Sequence, residues 1–104
     1  MDKLRKELIK FSEERDWRQF HTPENLAKSV SIEAGELLEC FQWGDSFGKQ
    51  EVEDEIADIF SYLILLEKAL DIDLIEVTKK KIEKNKGKYP ILKSKGSSKK
   101  YTKF

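Results

Sequence analysis

The chain has 104 residues, enough for one domain with a modest core. Its 20 basic and 20 acidic residues give a formal net charge of zero. It contains no run of about 18 apolar residues and no basic-then-apolar leader, and its one cysteine, Cys40, cannot form an internal disulfide. We therefore expect a cytoplasmic protein without membrane contact, in which oligomerisation would bury more apolar surface.

The charges are unevenly distributed along the chain. From Glu33 to Glu76 there are 13 acidic residues against two lysines, and from Lys79 onward there are 11 lysines against one acid. One interpretation is a solvated surface with a loose basic tail. The other is functional, with carboxylates for a metal and lysines for a polyphosphate. Nucleic-acid binding is a weaker alternative, because an acidic face would repel a phosphate backbone.

The hydrophobic pattern predicts an all-α, four-helix, bundle-like protomer without strands. The first helix is expected over residues 2–15, with Leu4, Leu8 and Phe11 on one face. Residues 16–21 show no sustained period and are predicted to form a connecting loop.

The second predicted helix begins with Thr22 as its N-cap and Pro23 in the first helical position, and it continues to about Trp43. Its apolar stripe is Leu26, Val30, Ala34, Leu37 and Phe41. At about 100° per residue, Glu33 falls inside that stripe and Glu36 lies at its edge.

The third predicted helix covers residues 49–70 and follows a short loop of turn-forming residues. Its core stripe is Val52, Ile56, Ile59, Leu63, Leu66 and Leu70. Glu55 and Asp58 lie along one flank of that stripe. Antiparallel packing of the second and third helices would therefore bring two carboxylate pairs to one seam.

The fourth helix is predicted to start at the capping residue Asp73 and to end near Gly87. Residues 91–104 form a basic tail without apolar period, expected to pack on the body or on a neighbouring subunit. We therefore predict one helical domain over residues 1–90, followed by this tail.

Four carboxylates on neighbouring helices offer the oxygen ligands that Mg²⁺ prefers. Salt bridges or an ordinary polar helix flank are the alternative explanation. Zinc is disfavoured because the cluster has neither histidine nor cysteine. The P-loop pattern is absent, and the only histidine, His21, does not fit a di-iron spacing.

Trp17 and Trp43 flank predicted helices and are either core residues or stacking surfaces for a planar base. Together with the lysines and the carboxylates, they favour a nucleoside triphosphate as the ligand. Water activated by a metal and a carboxylate is the chemistry that remains, and the proton acceptor is one of the four carboxylates, Glu39 or Asp54.

The spacing Glu33-x-x-Glu36 with Glu55-x-x-Asp58 resembles the metal motif of the MazG-like nucleotide pyrophosphohydrolases, an all-α family. Residues 15–21, 35–43 and 88–90, and the tail residues 97–102, are similar to its dCTP pyrophosphatase branch. The similarity extends in order along nearly the whole chain.

This resemblance implies Mg²⁺-dependent hydrolysis of a nucleoside triphosphate between its α- and β-phosphates, with dCTP or a related pyrimidine nucleotide as substrate. It implies a catalytic metal site formed by Glu33, Glu36, Glu55 and Asp58. It also implies substrate contacts from Trp17, Trp43, Tyr62, Lys81, Asn85 and Tyr89. A homodimer or homotetramer with shared sites is expected.

Two positions depart from the family pattern: Ile32 stands where a second adjacent glutamate is common, and Leu8 stands where the animal enzymes have a histidine. The alternative hypothesis is a helical module that binds nucleotide or acts as a scaffold without turnover.

Overall fold

The computed structural model describes residues 1–44 and 46–98, and every regular element in that part of the chain is helical. The elements are α1 (Asp2–Glu14), a 3₁₀ turn (Arg18–Phe20), α2 (Pro23–Glu39), α3 (Lys49–Leu70), α4 (Leu74–Lys88) and α5 (Ile91–Ser94). The predicted all-α class and its four long helices are confirmed. The expected packing of the tail, including Tyr101, falls partly on residues 99–104, which lie outside the described residues.

The helix starts follow from their capping residues. The Thr22 hydroxyl oxygen accepts a hydrogen bond from the Asn25 N–H at 3.1 Å, with Pro23 in the first turn. The Asp73 carboxylate accepts from the N–H groups of Ile75 and Glu76 at 2.9 and 3.1 Å. Both predicted N-caps are therefore confirmed.

Three local features differ from the prediction. The second helix ends at Glu39 rather than near Trp43, because residues 40–44 form turns whose N–H groups bond to carbonyls three residues back. The 3₁₀ turn Arg18–Phe20 interrupts the predicted loop, and α5 is a short additional helix.

Contacts within the chain divide it into one compact unit over Met1–Asp71 and a second that begins at Ile72. In the first unit α2 and α3 are antiparallel: Cys40 lies near Glu51, whereas Leu26 and Tyr62 line one cavity at the opposite end. The short connection between the helices requires this arrangement. It places the carboxylates of α2 opposite those of α3.

The fully buried apolar residues of the first unit are Leu26, Ile64 and Leu65. The predicted core residues Ile56 and Leu70 are instead about half exposed, at 52% and 48%. The reason is that α3 has apolar residues on more than one face, and α1 and α2 do not cover the face that carries these two side chains.

A partly buried ion pair joins α1 to α3. The Arg5 Nε and one terminal guanidinium nitrogen each donate to the Glu67 carboxylate at 2.8 Å, and the other terminal nitrogen donates to Asp2 at 2.9 Å. The Glu67 side chain is only 7% exposed. Such a fork-shaped contact fixes the relative position of two helices.

The second unit carries the basic helix α4, whose surface ion pairs are Lys79–Glu76 and Lys86–Glu83. No helix in the described part of the chain is long and apolar enough to cross a membrane.

Candidate metal centre and nucleotide cavity

Three of the four predicted ligands meet at the α2–α3 seam. Glu33, Glu55 and Asp58 each place one carboxylate oxygen within 4.8 Å of the others. Glu33 and Glu55 also each have a buried Oε2 without a hydrogen-bond partner among the described residues. Carboxylates so close together, with buried oxygens that receive no donor, need a proton or a cation to be stable.

The pKa of Glu33 reflects this crowding of carboxylates. Once protonated, Glu33 can donate a hydrogen bond to Glu55 or to Glu36; this, followed by burial and the negative charges of both neighbours, raises the pKa of Glu33 to about 7. The folded protein therefore holds a proton at this seam at mildly acidic pH. A divalent cation would replace that proton.

The donor set fits Mg²⁺. It consists of carboxylate oxygens alone, which suit a hard cation that keeps several of its waters. Glu36 is exposed and lies outside the group of three oxygens, although it is within hydrogen-bonding reach of Glu33. Glu33, Glu55 and Asp58 would hold the ion, with Glu36 at the solvent side.

The raised pKa of Glu33 predicts proton-linked metal binding. Mg²⁺ should release about one proton on binding below pH 7, and its apparent affinity should rise from about pH 6 to about pH 8. Calorimetry in two buffers of different ionisation enthalpy measures this release. In Glu33→Gln the proton release should disappear, and an affinity independent of pH in the parent protein would contradict the assignment.

The stability of the metal-free protein should fall as the pH rises, whereas the affinity for Mg²⁺ increases. The pKa of Glu33 in the folded state lies above its ordinary value of 4.5. Its contribution to stability is therefore complete at low pH and is lost as the pH rises through about 7. Thermal melts without Mg²⁺ should show this loss, and Glu33→Gln should reduce it.

A cavity of about 420 Å³ begins at the carboxylate seam. Its lining residues are Leu8, Phe11, Ser12, Trp17, His21, Asp58, Ser61, Tyr62 and Leu65. The Trp17 ring meets Phe11 edge to face, with centroids 5.6 Å apart. The cavity thus combines an aromatic wall with a metal-ligand candidate, Asp58, as a planar base attached to phosphates requires.

A second cavity of about 410 Å³ lies beside the first and shares the walls Trp17, His21 and Tyr62 with it. Burial, and then the nearby charge of Arg18, lowers the pKa of His21. Its imidazole is therefore neutral at pH 7 and can both donate and accept a hydrogen bond.

Trp43 lies outside both cavities, beside a groove that adjoins the same carboxylate group. It is 81% exposed and lines this groove of about 560 Å³, together with Glu36, Glu39 and Glu55. The structure therefore brings Trp17 and Tyr62 to one cavity and leaves Trp43 outside it.

The remaining predicted contact residues belong to the second unit. Lys81 and Asn85 lie one turn apart on α4, with Lys81 exposed and Asn85 half-buried. Tyr89 caps that helix, and its N–H donates to the Asn85 carbonyl at 2.8 Å.

The sequence did not predict three polar residues that line the first cavity, called the nucleotide-sized cavity below: Ser12, His21 and Ser61. A signal existed for Ser12, which follows Leu8 by four residues and so lies on the apolar face of α1. A buried polar residue on such a face needs a structural or functional reason.

Comparisons with known proteins identify the family of this chain. Residues 28–104 match the MazG-like family model. The chain is 35% identical to mouse dCTP pyrophosphatase 1 and 33% identical to the human protein of that name, over 98% of its own length and 66% of theirs. The crystal structure of a pyrophosphatase from Archaeoglobus fulgidus shares 46% identity and a TM-score of 0.82, covering 86% of this chain and 92% of that one. The chain therefore belongs to the MazG-like family.

Proposed function

We propose that this protein is a Mg²⁺-dependent nucleotide pyrophosphohydrolase. It would convert a nucleoside triphosphate to the monophosphate and pyrophosphate, with dCTP or a related pyrimidine nucleotide as substrate. The observation that carries the proposal is the continuity of the carboxylate group Glu33, Glu55 and Asp58 with an aromatic cavity through Asp58. One nucleotide would place its phosphates at the carboxylate group and its base in the aromatic cavity.

The relatives support this reaction. Those at 33–36% identity are dCTP pyrophosphatase 1 of mouse, cattle and human, and the archaeal neighbour is a pyrophosphatase. This chain spans 66% of the length of the dCTP pyrophosphatases. The activity of these relatives and the site described above together support dCTP hydrolysis by this chain.

Bound Mg²⁺ would neutralise the polyphosphate and lower the pKa of a bound water. The chain itself contributes positioning and proton transfer. Trp17 and Tyr62 both line this cavity and would hold the base there, which would position the α-phosphorus relative to the carboxylates. The proton of the attacking water passes to a carboxylate: Glu36 is exposed beside the seam, and Glu39 and Asp54 line the adjoining groove.

The roles of Lys81, Asn85 and Tyr89 remain part of the proposal. They would contact the sugar or the phosphates, where an ammonium and an amide complement anionic oxygens. Trp43 would contribute from the mouth of the groove, since its exposed ring is available to a ligand or to a neighbouring subunit.

A homodimer or homotetramer is also proposed, in the cytoplasm. Its support is the exposed apolar surface of the first unit, where the exposed fractions are 62% for Ile32, 73% for Leu38 and 52% for Ile56. Exposed apolar side chains of this size are available to a neighbouring subunit. A second copy of the chain would cover them.

The reaction is tested with a panel of nucleoside triphosphates, each incubated with the full chain in the presence and absence of Mg²⁺. We expect dCTP to yield dCMP and pyrophosphate only when Mg²⁺ is present. Pyrophosphate and orthophosphate are measured separately, because orthophosphate release would indicate cleavage at the γ-phosphate.

The same panel, together with a DNA-binding titration at several salt concentrations, separates the alternatives. Binding of nucleotide without Mg²⁺ and without pyrophosphate release would identify a sequestering module. Strongly salt-dependent DNA binding, lost when residues after Pro90 are removed, would identify a nucleic-acid binder.

A further inference from the structure

The end of α1 places Trp17 in the wall of the nucleotide-sized cavity. The Trp17 N–H donates to the Ser12 carbonyl at 3.0 Å, and the Asp16 N–H donates to the Glu13 carbonyl at 3.0 Å. Asp16 has a φ of 55°, in the left-handed region. These are the bonds and the backbone of a Schellman motif, in which the chain reverses direction after the last turn of a helix. The reversal brings Trp17 back beside α1.

A contact between two aromatic rings completes this motif. Trp17 and Phe11 meet edge to face with centroids 5.6 Å apart, and both line the nucleotide-sized cavity. Asp16 is held as well, because the Gln19 side-chain amide donates to its carbonyl at 2.9 Å and to its carboxylate at 3.0 Å. The backbone before Trp17 is therefore fixed, and Phe11 is the contact that orients the Trp17 ring.

Phe11 is in turn held by Arg15. The guanidinium carbon of Arg15 lies 3.8 Å from the centroid of the Phe11 ring, and a terminal guanidinium nitrogen donates to the Phe11 carbonyl at 3.0 Å. The two contacts together keep the guanidinium against one face of the ring. Arg15 is exposed and lies outside the described lining of both cavities. It would therefore act on a ligand only through Phe11 and Trp17.

We propose that Arg15 is a positioning residue that holds the Phe11–Trp17 pair in the geometry that receives the base. This inference rests on the proposed function, because it assumes that a base stacks on Trp17 in this cavity. The rings of Phe11 and Trp17 are 42% and 46% exposed. Without the guanidinium, both have room to adopt other rotamers.

A nucleotide would bind only those molecules in which both rings keep the receptive rotamers. Its apparent affinity would therefore fall in proportion to that fraction. A guanidinium over an exposed aromatic ring biases such an equilibrium about two- to fivefold. Once the nucleotide is bound, the receptive rotamers are present in every complex, so the loss should appear in KM and not in kcat.

Arg15→Met tests this expectation, because it keeps an unbranched apolar stem and removes the charge and the N–H donors. In the full chain with Mg²⁺, KM for dCTP should rise about two- to fivefold, and kcat should be unchanged. Arg15→Lys should recover most of the loss, since an ammonium can also lie over a ring and donate to a carbonyl. Lys10→Met is the matched control: it removes a charge from an exposed position of α1 outside both cavities, and KM should not change.

The mobility of the Trp17 ring provides a readout without substrate. In a Trp43→Phe background Trp17 is the single tryptophan, and its fluorescence anisotropy decay can be recorded in the free protein. Arg15→Met should increase the amplitude of the fast decay, whereas Arg15→Lys and Lys10→Met should resemble the parent. Thermal melts measure the stability of each variant. An unchanged KM in Arg15→Met would overturn the proposal, whatever happens to the melting temperature.

Binding of dCMP, measured by calorimetry, separates this inference from the proposed reaction. If the parent binds dCMP but releases no pyrophosphate from dCTP, and Arg15→Met weakens dCMP binding and loosens Trp17, the reaction is wrong and the role of Arg15 stands. If dCTP is hydrolysed and both KM and dCMP affinity are insensitive to Arg15, only the reaction stands. If the parent neither binds nor hydrolyses these nucleotides, both are wrong.

Discussion

Replacing Asp58 with Asn should lower kcat/KM for the preferred nucleoside triphosphate by about a hundredfold to a thousandfold. Asp58 contributes one of the three clustered carboxylate oxygens and also lines the nucleotide-sized cavity. The amide keeps the size of the side chain but removes the negative charge that attracts Mg²⁺. Because Asp58 is exposed, the helical fold should persist.

Two measurements are needed for this variant: pyrophosphate release, and Mg²⁺ affinity by calorimetry without nucleotide. Both should decrease together, while the circular dichroism spectrum remains helical. Glu53→Gln is the matched control, because it also removes a charge from α3 but lies outside the carboxylate group, where it pairs with Lys49 at 4.0 Å. Hydrolysis by Asp58→Asn at the parental rate would rule out the metal assignment.

Replacing Arg5 with Ala should lower the free energy of unfolding by about 3 kcal/mol. The substitution removes two hydrogen bonds, each of 2.8 Å, from the Glu67 carboxylate, whose side chain is 7% exposed. Burying a carboxylate is costly without the compensating guanidinium. Urea titration or a thermal melt measures the loss.

Two further variants distinguish the buried pair from the exposed one. Asp2→Ala removes only the partner that is 87% exposed, and it should cost less than about 1 kcal/mol. The double variant Arg5→Met with Glu67→Leu should recover much of the lost stability, because two apolar side chains can replace a buried ion pair. Equal losses for Arg5→Ala and Asp2→Ala would show that the link between α1 and α3 contributes little.

Local signals in the sequence predicted the secondary structure well. Thr22, Pro23 and Asp73 act through contacts within a few residues, so the starts of α2 and α4 could be read directly. The end of α2 was misplaced, since the apolar period continues to Phe41 although the backbone turns at Cys40. The apolar period alone does not show at which residue a helix ends.

Core membership was predicted less well than helix position. Ile56 and Leu70 have the right period on α3 but are half exposed, whereas Leu65 is buried. The side chains that become buried depend on where α1 and α2 cross α3. Similarly, the burial of Glu67 depends on Arg5, which is 62 residues away in the chain.

The sequence by itself determined the helical class, the caps and the presence of two carboxylate pairs, because each depends on spacing within one helix. It did not determine which carboxylates meet. Only the tertiary structure placed Glu33, Glu55 and Asp58 within 4.8 Å of one another and left Glu36 at the edge. It also turned Ser12 from a polar interruption of α1 into part of a cavity wall. These outcomes depend on the packing of α1, α2 and α3, and packing geometry is not contained in the period of any single helix.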